Sequence, residues 1–458
     1  MSDIEEHRKK IEEVTLEMIK LLKTRTDIAK QIGDAKASLG MTVTDEERED
    51  ALRKQVTKLC KEIDLDQSTA LKFLNLLLNE SVKVQSDGKQ THLSVFLKAK
   101  ALEEEGKKII HLEVGEPDFK PPEEVKTALA EVYDKGYGKY GSPKGITELR
   151  NALAVRENQE SAKVSEENIM ICPGARFGVY LAITTLLNPG DEIIVIEPAW
   201  PAYKDCALNA GVKVRTIKTT LETEWEPSVE QINNAINENT KMIVINYPNN
   251  PTGQWGNQLV DRIINAAKKH DLYVLSDEIY LEYDRREERG ALFARWWDVQ
   301  YEKTIITKSF SKSHAMTGYR IGYVIAEPSI IEKMSKLQAL SLTNVSEPIQ
   351  YVALQALEAD VSGNTEIINS RLEALIKIAK DIGLEFVEPD GAMYLFAKTK
   401  YKDFDATKFS EKLLEHGVAI APGEGFGDYK EFFRITAIDE TKSKEGMTIL
   451  DTVLKETV

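Results

Sequence analysis

Leu272-Tyr273-Val274-Leu275-Ser276-Asp277-Glu278-Ile279-Tyr280 is a short apolar run that ends in a carboxylate. A parallel strand buried on both faces reads as such a continuous run, and in an open α/β sheet ligands bind outside the carboxyl ends of the strands. Asp277 therefore stands where a ligand binds, although capping the next helix is an equally ordinary use of an Asp at that place. The same texture recurs on either side. Asp191 to Glu197, Lys241 to Asn246 and Thr304 to Thr307 are Ile/Val-rich runs separated by amphipathic stretches, the pattern of parallel strands with crossover helices. Asn250-Pro251-Thr252-Gly253 follows the second of these and Ser309-Phe310-Ser311-Lys312 ends the third, with Arg320 eight residues further on. Taken singly, the first is a good turn and a lone loop lysine is usually solvated. Their order along the chain is the informative part.

This texture begins at about Thr91. After about Ser335 a long helical segment leads to mixed strands, Glu385 to Val387 and Met393 to Lys398, which read as a separate α+β lobe. Residues 1 to 85 differ: they hold no Pro and only two Gly, and their apolar positions recur at helical spacing. The sequence thus predicts an all-helical domain over 1–86, a polar linker at 87–91, and an α/β domain over 92–458. Within the last, a large part covers about 121–335 and a small part about 92–120 with 336–458.

Composition narrows the function. The chain has 458 residues, 42% of them hydrophobic, and 75 acidic against 60 basic side chains for a net charge of −15. Without a basic stripe, nucleic acid is a poor partner, while small acidic ligands can still be held by local arginines. Cys60, Cys172 and Cys206 are too few and too scattered for a disulfide framework or a zinc site. The first ten residues are charged and lack an apolar core, and no run of eighteen apolar residues occurs. A cytoplasmic protein without metal or membrane anchor is expected.

In the first helix a heptad seam runs through Ile4, Ile11, Met18, Arg25, Ile32 and Leu39, with Val14, Leu21, Ile28 and Ala35 beside it. Arg25 breaks the stripe, and a buried guanidinium must meet an anion. A structural carboxylate is the plainest such partner. Thr44-Asp45-Glu46-Glu47 has the form of a capping box, after which Asp45, Arg48 and Glu49 share a face with Leu52, Val56 and Leu59. In the third helix the stripe Leu71, Leu74, Leu78 continues into Ser81 and Gln85. Three apolar stripes that turn polar in one small bundle suggest a polar pocket between helices. Arg25 and Lys36 are about 16 Å apart along the axis and about 20° apart around it, so both reach one small ligand. Arg8 lies about 25 Å from Arg25 and about 100° around the helix, and enters that pocket only from a second chain paired antiparallel.

Over residues 4 to 85 the sequence resembles the all-helical chorismate mutases of the bacterial bifunctional type, whose pocket pattern falls without a gap on Arg8, Arg25, Lys36, Asp45, Arg48, Glu49, Ser81 and Gln85. The resemblance implies that Arg8 of the partner and Arg25 clamp the two carboxylates of chorismate. Lys36 and Gln85 would donate to the ether oxygen, and Asp45, Arg48, Glu49 and Ser81 would complete the polar shell. Such a rearrangement needs a compact conformer and donors aimed at developing charge, with no nucleophile and no proton transfer.

Residues 92 to 458 resemble the class I/II aminotransferases of the type I fold that use pyridoxal phosphate. The likeness rests on the motifs above together with Val114-Gly115-Glu116-Pro117-Asp118-Phe119, Tyr140-Gly141-Ser142, Glu148-Leu149-Arg150, Pro198-Ala199-Trp200 with Tyr203, and Arg434-Ile435-Thr436. It implies a mostly parallel sheet in the large domain and an α+β small domain. It also implies that Lys312 forms the Schiff base with the cofactor and shuttles the substrate proton. Asp277 would pair with the pyridine nitrogen, Asn250 and Tyr280 would bond the phenolic oxygen, and Trp200 would stack on the ring. Gly174, Ala175 and Arg176 at a helix N-terminus, with Ser309, Arg320 and Tyr140 of the neighbouring subunit, would hold the phosphate. Gly115, Trp200, Asn250 and Arg434 would contact the amino-acid substrate, Arg434 as the bidentate partner of its α-carboxylate.

The fusion points to a bifunctional enzyme of aromatic amino-acid synthesis that isomerises chorismate and aminates prephenate or another aromatic 2-oxo acid from glutamate or aspartate. Since both families supply site residues across subunits, a homodimer or larger even assembly is expected. A general aspartate or aromatic aminotransferase, with the helical segment as a regulatory or dimerising module, is the alternative. The sequence shows no second arginine that marks a distal-carboxylate clamp.

Overall fold

The computed structural model describes residues 2–38, 46–85, 92–159, 163–256, 259–286 and 301–457. The chain divides into two compact units, Met1–Lys89 and Gln90–Val458.

The first unit has three helices, α1 (Ser2–Ser38), α2 (Glu46–Glu62) and α3 (Gln67–Gln85), and α3 packs against both others. α1 spans about 55 Å, and α3 is held by its C-terminal part, where Ala29 and Gly33 are buried. A Cβ on Gly33 would lie 3.0 Å from Gln85 Cα, so the missing side chain sets how closely the two helices approach. Upstream, the heptad seam is uncovered within one chain: Ile4, Ile11, Val14, Met18 and Leu21 are 46–68% exposed. On α2, Leu52 and Val56 are half-buried, while Leu59 is exposed and falls outside the expected stripe. Thr44 and Asp45 lie outside the described residues.

The second unit contains strands β1 (Ile110–His111), β2 (Ile169–Cys172), β3 (Glu192–Glu197), β4 (Lys213–Lys218), β5 (Thr240–Asn246), β6 (Tyr273–Asp277), β7 (Thr304–Ser309) and β8 (Gly322–Ile325). These are followed by β9 (Tyr394–Lys398), β10 (Val418–Ala419), β11 (Ala421–Pro422) and β12 (Phe432–Thr436). Seven of them form one sheet in the order β2-β8-β7-β6-β5-β3-β4, parallel except for β8, which runs against both neighbours. The apolar runs are continuous because helices cover both faces: Ile194 and Ile196 of β3 enter one core cluster, Ile193 and Val195 the other. β6 and β7 bring Asp277 and Ser309 to the same carboxyl edge.

The small lobe holds the antiparallel sheet β11-β12-β9 and the parallel pair β1-β10. Two expectations are corrected here. Glu385 to Val387 is not a strand, because only Glu385 pairs, in a single bridge with Lys398. The helical segment after Ser335 is not continuous but comprises Pro328–Leu342, Glu347–Ala356 and Ser362–Asp381. The first break comes where Thr343 turns to φ +67° and Pro348 starts the next helix, where a missing N–H does no harm.

Candidate active sites

A cavity of about 460 Å³ opens at the carboxyl edge of the seven-stranded sheet, between it and β9 and β12 of the small lobe. Ten of the residues singled out in the sequence line it: Gly115, Ala175, Arg176, Trp200, Asn250, Asp277, Tyr280, Lys312, Arg320 and Arg434. Tyr203, Asn246, Ser311, Thr317 and Tyr394 line it as well and carry no role in the sequence reading.

Asp277 is buried, and its two oxygens accept from Tyr203 Oη at 2.6 Å and Thr307 Oγ1 at 3.0 Å. Burial raises its carboxyl above the usual range, while those bonds and the Lys312 charge pull it back. Asn246 Nδ2 donates to the Asp277 carbonyl at 2.8 Å and fixes the strand end. Lys312, on the loop after β7, donates to the Gly115 carbonyl, and Tyr283 Oη donates to the Lys312 carbonyl at 2.6 Å. Burial, reinforced by the nearby Arg434, pushes the Lys312 amine down to about 8. The Tyr280 and Tyr394 hydroxyls are 2.5 Å apart, and burial lifts the Tyr280 phenol well above its ordinary range.

Arg434 is buried on β12, donating through Nη1 to Asn250 Oδ1 at 2.7 Å and through Nη2 to the Glu113 carbonyl. Its guanidinium carbon lies 4.2 Å from the Tyr394 ring centroid. Each Nη keeps a second N–H, the pair a carboxylate needs. Arg176 lies 4.6 Å over the Trp200 ring, which makes an edge contact with Tyr203 at 5.3 Å.

Gly174 caps the helix Ala175–Leu186 at φ +82°, a conformation that favours glycine, and a Cβ there would meet Arg320 Nη2 at 2.7 Å. Backbone N–H groups and a guanidinium thus converge where an anion fits. Ser309 is not among the lining residues: its hydroxyl donates to the Ile321 carbonyl at 3.0 Å and lies 2.8 Å from Ser311 Oγ, and Ser311 stands at the wall instead. Tyr140 is 91% exposed and does not line the cavity of its own chain. A phosphate cradle, a buried carboxylate and a buried amine fit pyridoxal phosphate.

In the helical unit, Arg25 Nη1 donates to the Leu77 carbonyl and to Ser81 Oγ, both at 2.5 Å. This leaves the Nε–Nη2 edge as the fork for a carboxylate. Lys36, Glu49 and Gln85 are half-buried and Arg48 is exposed. Gln85 Oε1 is buried without a hydrogen-bond partner among the described residues. Arg53, which the sequence reading passed over, donates to buried Asn75 on α3 one turn beyond Glu49. Arg8 pairs only locally, with Glu5 at 3.4 Å among the described residues.

Residues 107–450 match the family Aminotransferase class I and II. The chain belongs to this family. Residues 7–86 match Chorismate mutase type II, so this aminotransferase is fused behind a mutase domain and the protein carries both isomerase and transferase activities. Aspartate aminotransferase of Thermotoga maritima is 36% identical over 72% of this chain and 87% of its own length. The aspartate/prephenate aminotransferase of Thermus thermophilus is 34% identical over 76% and 92% respectively. The crystal structure of the Thermotoga maritima enzyme matches with a TM-score of 0.76 at 33% identity, covering 81% of this chain and 98% of that one. Such an aminotransferase depends on pyridoxal phosphate and acts on small molecules. Among the described residues no helix is long and apolar enough to cross a membrane, and no group of side chains forms a metal site.

Proposed function

We propose that the helical domain converts chorismate to prephenate and that the aminotransferase then aminates prephenate, with glutamate or aspartate as donor. The observation that carries the second half is that three guanidinium groups line one cavity, Arg320 against the Gly174 cradle, Arg434 on β12 and Arg176 over Trp200, one more than a phosphate and an α-carboxylate need. Prephenate carries two carboxylates, and Arg176, which the family resemblance assigns to the phosphate, lies over the Trp200 ring and is in this reading the partner of the second. The fusion itself and the printed activity of the Thermus thermophilus relative support the same acceptor.

In the helical domain Arg25, and Arg8 of a second chain, hold the carboxylates of the reactive conformer, so that the two reacting carbons are brought together. Lys36 and Gln85 stabilise charge on the ether oxygen as the bond breaks, with Arg48, Glu49, Ser81 and Asp45 around the ring. No residue has to gain or lose a proton. The seven-residue repeat left exposed on α1 supports pairing of two chains there.

In the large domain, pyridoxal phosphate when bound supplies an aldehyde that takes up the amino group and a ring that accepts the electron pair left at the substrate α-carbon. Lys312 holds the cofactor covalently and later moves the α-proton, for which an amine titrating near 8 is suited. Asp277 keeps the ring nitrogen protonated. Asn250 and Tyr280 orient the phenolic oxygen and Trp200 bounds the ring face. Gly174, Ala175, Ser311 in place of Ser309, Arg320 and Tyr140 of a second chain receive the phosphate, and Arg434 takes the substrate α-carboxylate beside Gly115 and Asn250.

The test supplies chorismate and glutamate to the holoenzyme, with and without Arg25→Ala, and follows prephenate, arogenate, phenylpyruvate and phenylalanine by mass spectrometry. Arogenate that forms only with Arg25 intact is the expected result. Prephenate accumulating unaminated would move the acceptor to another 2-oxo acid.

A further inference from the structure

A second cavity of about 350 Å³ lies in the same unit, away from the cofactor site, between the segment after β4 and the chain leading into β12. Its size falls in the range of about 300–1,000 Å³ typical of small-molecule sites. The floor is aromatic: Trp225 meets Phe432 at 5.3 Å and Tyr429 at 5.7 Å, edge to face. Both signs of charge stand at the rim. Lys218 lies 5.5 Å over the Tyr429 ring and pairs with Asp428 at 2.8 Å; Lys398 lies 5.6 Å over the Phe432 ring, and Glu222 shares the wall. Trp225 itself is held at φ +63°, a conformation a bulky side chain rarely adopts and one that recurs at ligand clamps.

The floor is joined to the catalytic cavity by rings in contact. Phe432 stacks on Phe396 at 5.1 Å, Phe396 meets Phe426 at 5.9 Å, and Phe426 lies 5.0 Å from the Arg434 guanidinium carbon. The Phe426 carbonyl also accepts from Ala199 N at 2.9 Å, next to Trp200. Contacts between rings thus run without a gap from Trp225 and Phe432 to Arg434.

We propose that this cavity is an effector site for a zwitterionic amino acid with an aromatic side chain. The ring packs on Trp225 and Phe432, the carboxylate meets Lys218 and Lys398, and the ammonium meets Glu222 and Asp428. Occupancy loosens Arg434 and lowers the affinity for amino donor. By linkage the donor lowers the affinity for the effector by the same factor.

The test uses full-length holoenzyme first converted by excess glutamate to the form in which the cofactor carries the amino group, so that a second amino acid does not react with it. L-Phenylalanine is titrated by equilibrium dialysis, with L-leucine as the non-aromatic probe. One L-phenylalanine per chain is expected, with at least tenfold weaker binding in Lys398→Glu and Trp225→Leu, little change in Arg434→Ala, and no L-leucine bound. In steady state, L-phenylalanine should raise KM for glutamate about fivefold or more, and Lys398→Glu, half-buried at the cavity wall and outside the catalytic cavity, should abolish that rise. Failure to bind, equal binding of L-leucine, loss of binding in Arg434→Ala with retention in Lys398→Glu, or an unchanged KM each overturns the proposal. None of these outcomes bears on whether prephenate is the acceptor.

Discussion

The two candidate sites solve opposite problems. The helical site is assembled on three helices from half-exposed polar groups, and the groups there whose ionisation shifts, Arg25 and Arg53, are guanidiniums that stay charged. The site on the sheet edge is buried, and burial moves an amine, a carboxylate and several phenols away from their ordinary ranges. A pericyclic rearrangement needs fixed charge at fixed distances, which exposed helices supply. Transamination needs a lysine that is neutral part of the time, which a dry interior favours, and a carboxylate kept charged in spite of that interior, which takes chosen partners.

The sharpest break between the two is Lys312→Ala. Transamination should fall by about 10⁴-fold and borohydride should no longer fix the cofactor to the chain, while prephenate formation is unchanged. A parallel loss of mutase activity would show that the two units do not act separately. Arg25→Ala should lower mutase kcat/KM by about 10²- to 10³-fold and leave transamination alone. Coexpressing Arg8→Ala with Arg25→Ala chains should restore about a quarter of mutase activity, because half the dimers then hold one intact site out of two. No recovery would argue against Arg8 acting across chains.

Tyr203→Phe sharpens the contrast at a single bond. The lost donor is one that lowers the Asp277 pKa, so the carboxyl rises and the acid limb of the transaminase profile moves to higher pH. A fall in kcat of about tenfold is expected from one bond to a charged group, with no effect on mutase. The smallest effect is the flat one: mutase activity should vary less than about twofold from about pH 5 to 8, since Gln85 is neutral throughout. A steep loss in that window with the fold intact would remove Gln85 as a donor.

Much of the sheet was legible because its strands are buried on both faces and so appear as unbroken Ile/Val/Leu runs, each followed near its carboxyl end by a residue that lines the cavity. The small lobe was less so. Glu385 to Val387 has strand-like residues but finds only one pairing partner, and the segment after Ser335 is helical in composition but cut at Thr343 and Pro348. In the site, Asn250, Asp277 and Lys312 stand in recognisable motifs. Tyr394 and Thr307 do not, since a tyrosine or threonine in a strand carries no signal until another element comes near, and Ser311, though it stands beside Lys312 in the quoted motif, carries no role in the sequence reading.

The sequence by itself determined where the strands, helices and charged clusters lie, because periodicity and turn chemistry are local properties. Only the tertiary structure decided that Arg434, from the far end of the chain, shares Asn250 and Glu113 with segments 184 and 321 residues away. It likewise decided that Ser311 and not Ser309 faces the cavity, and that Arg176 lies over the Trp200 ring. Long-range contacts of this kind follow from how sheets and lobes pack, and packing depends on all the residues of a core at once.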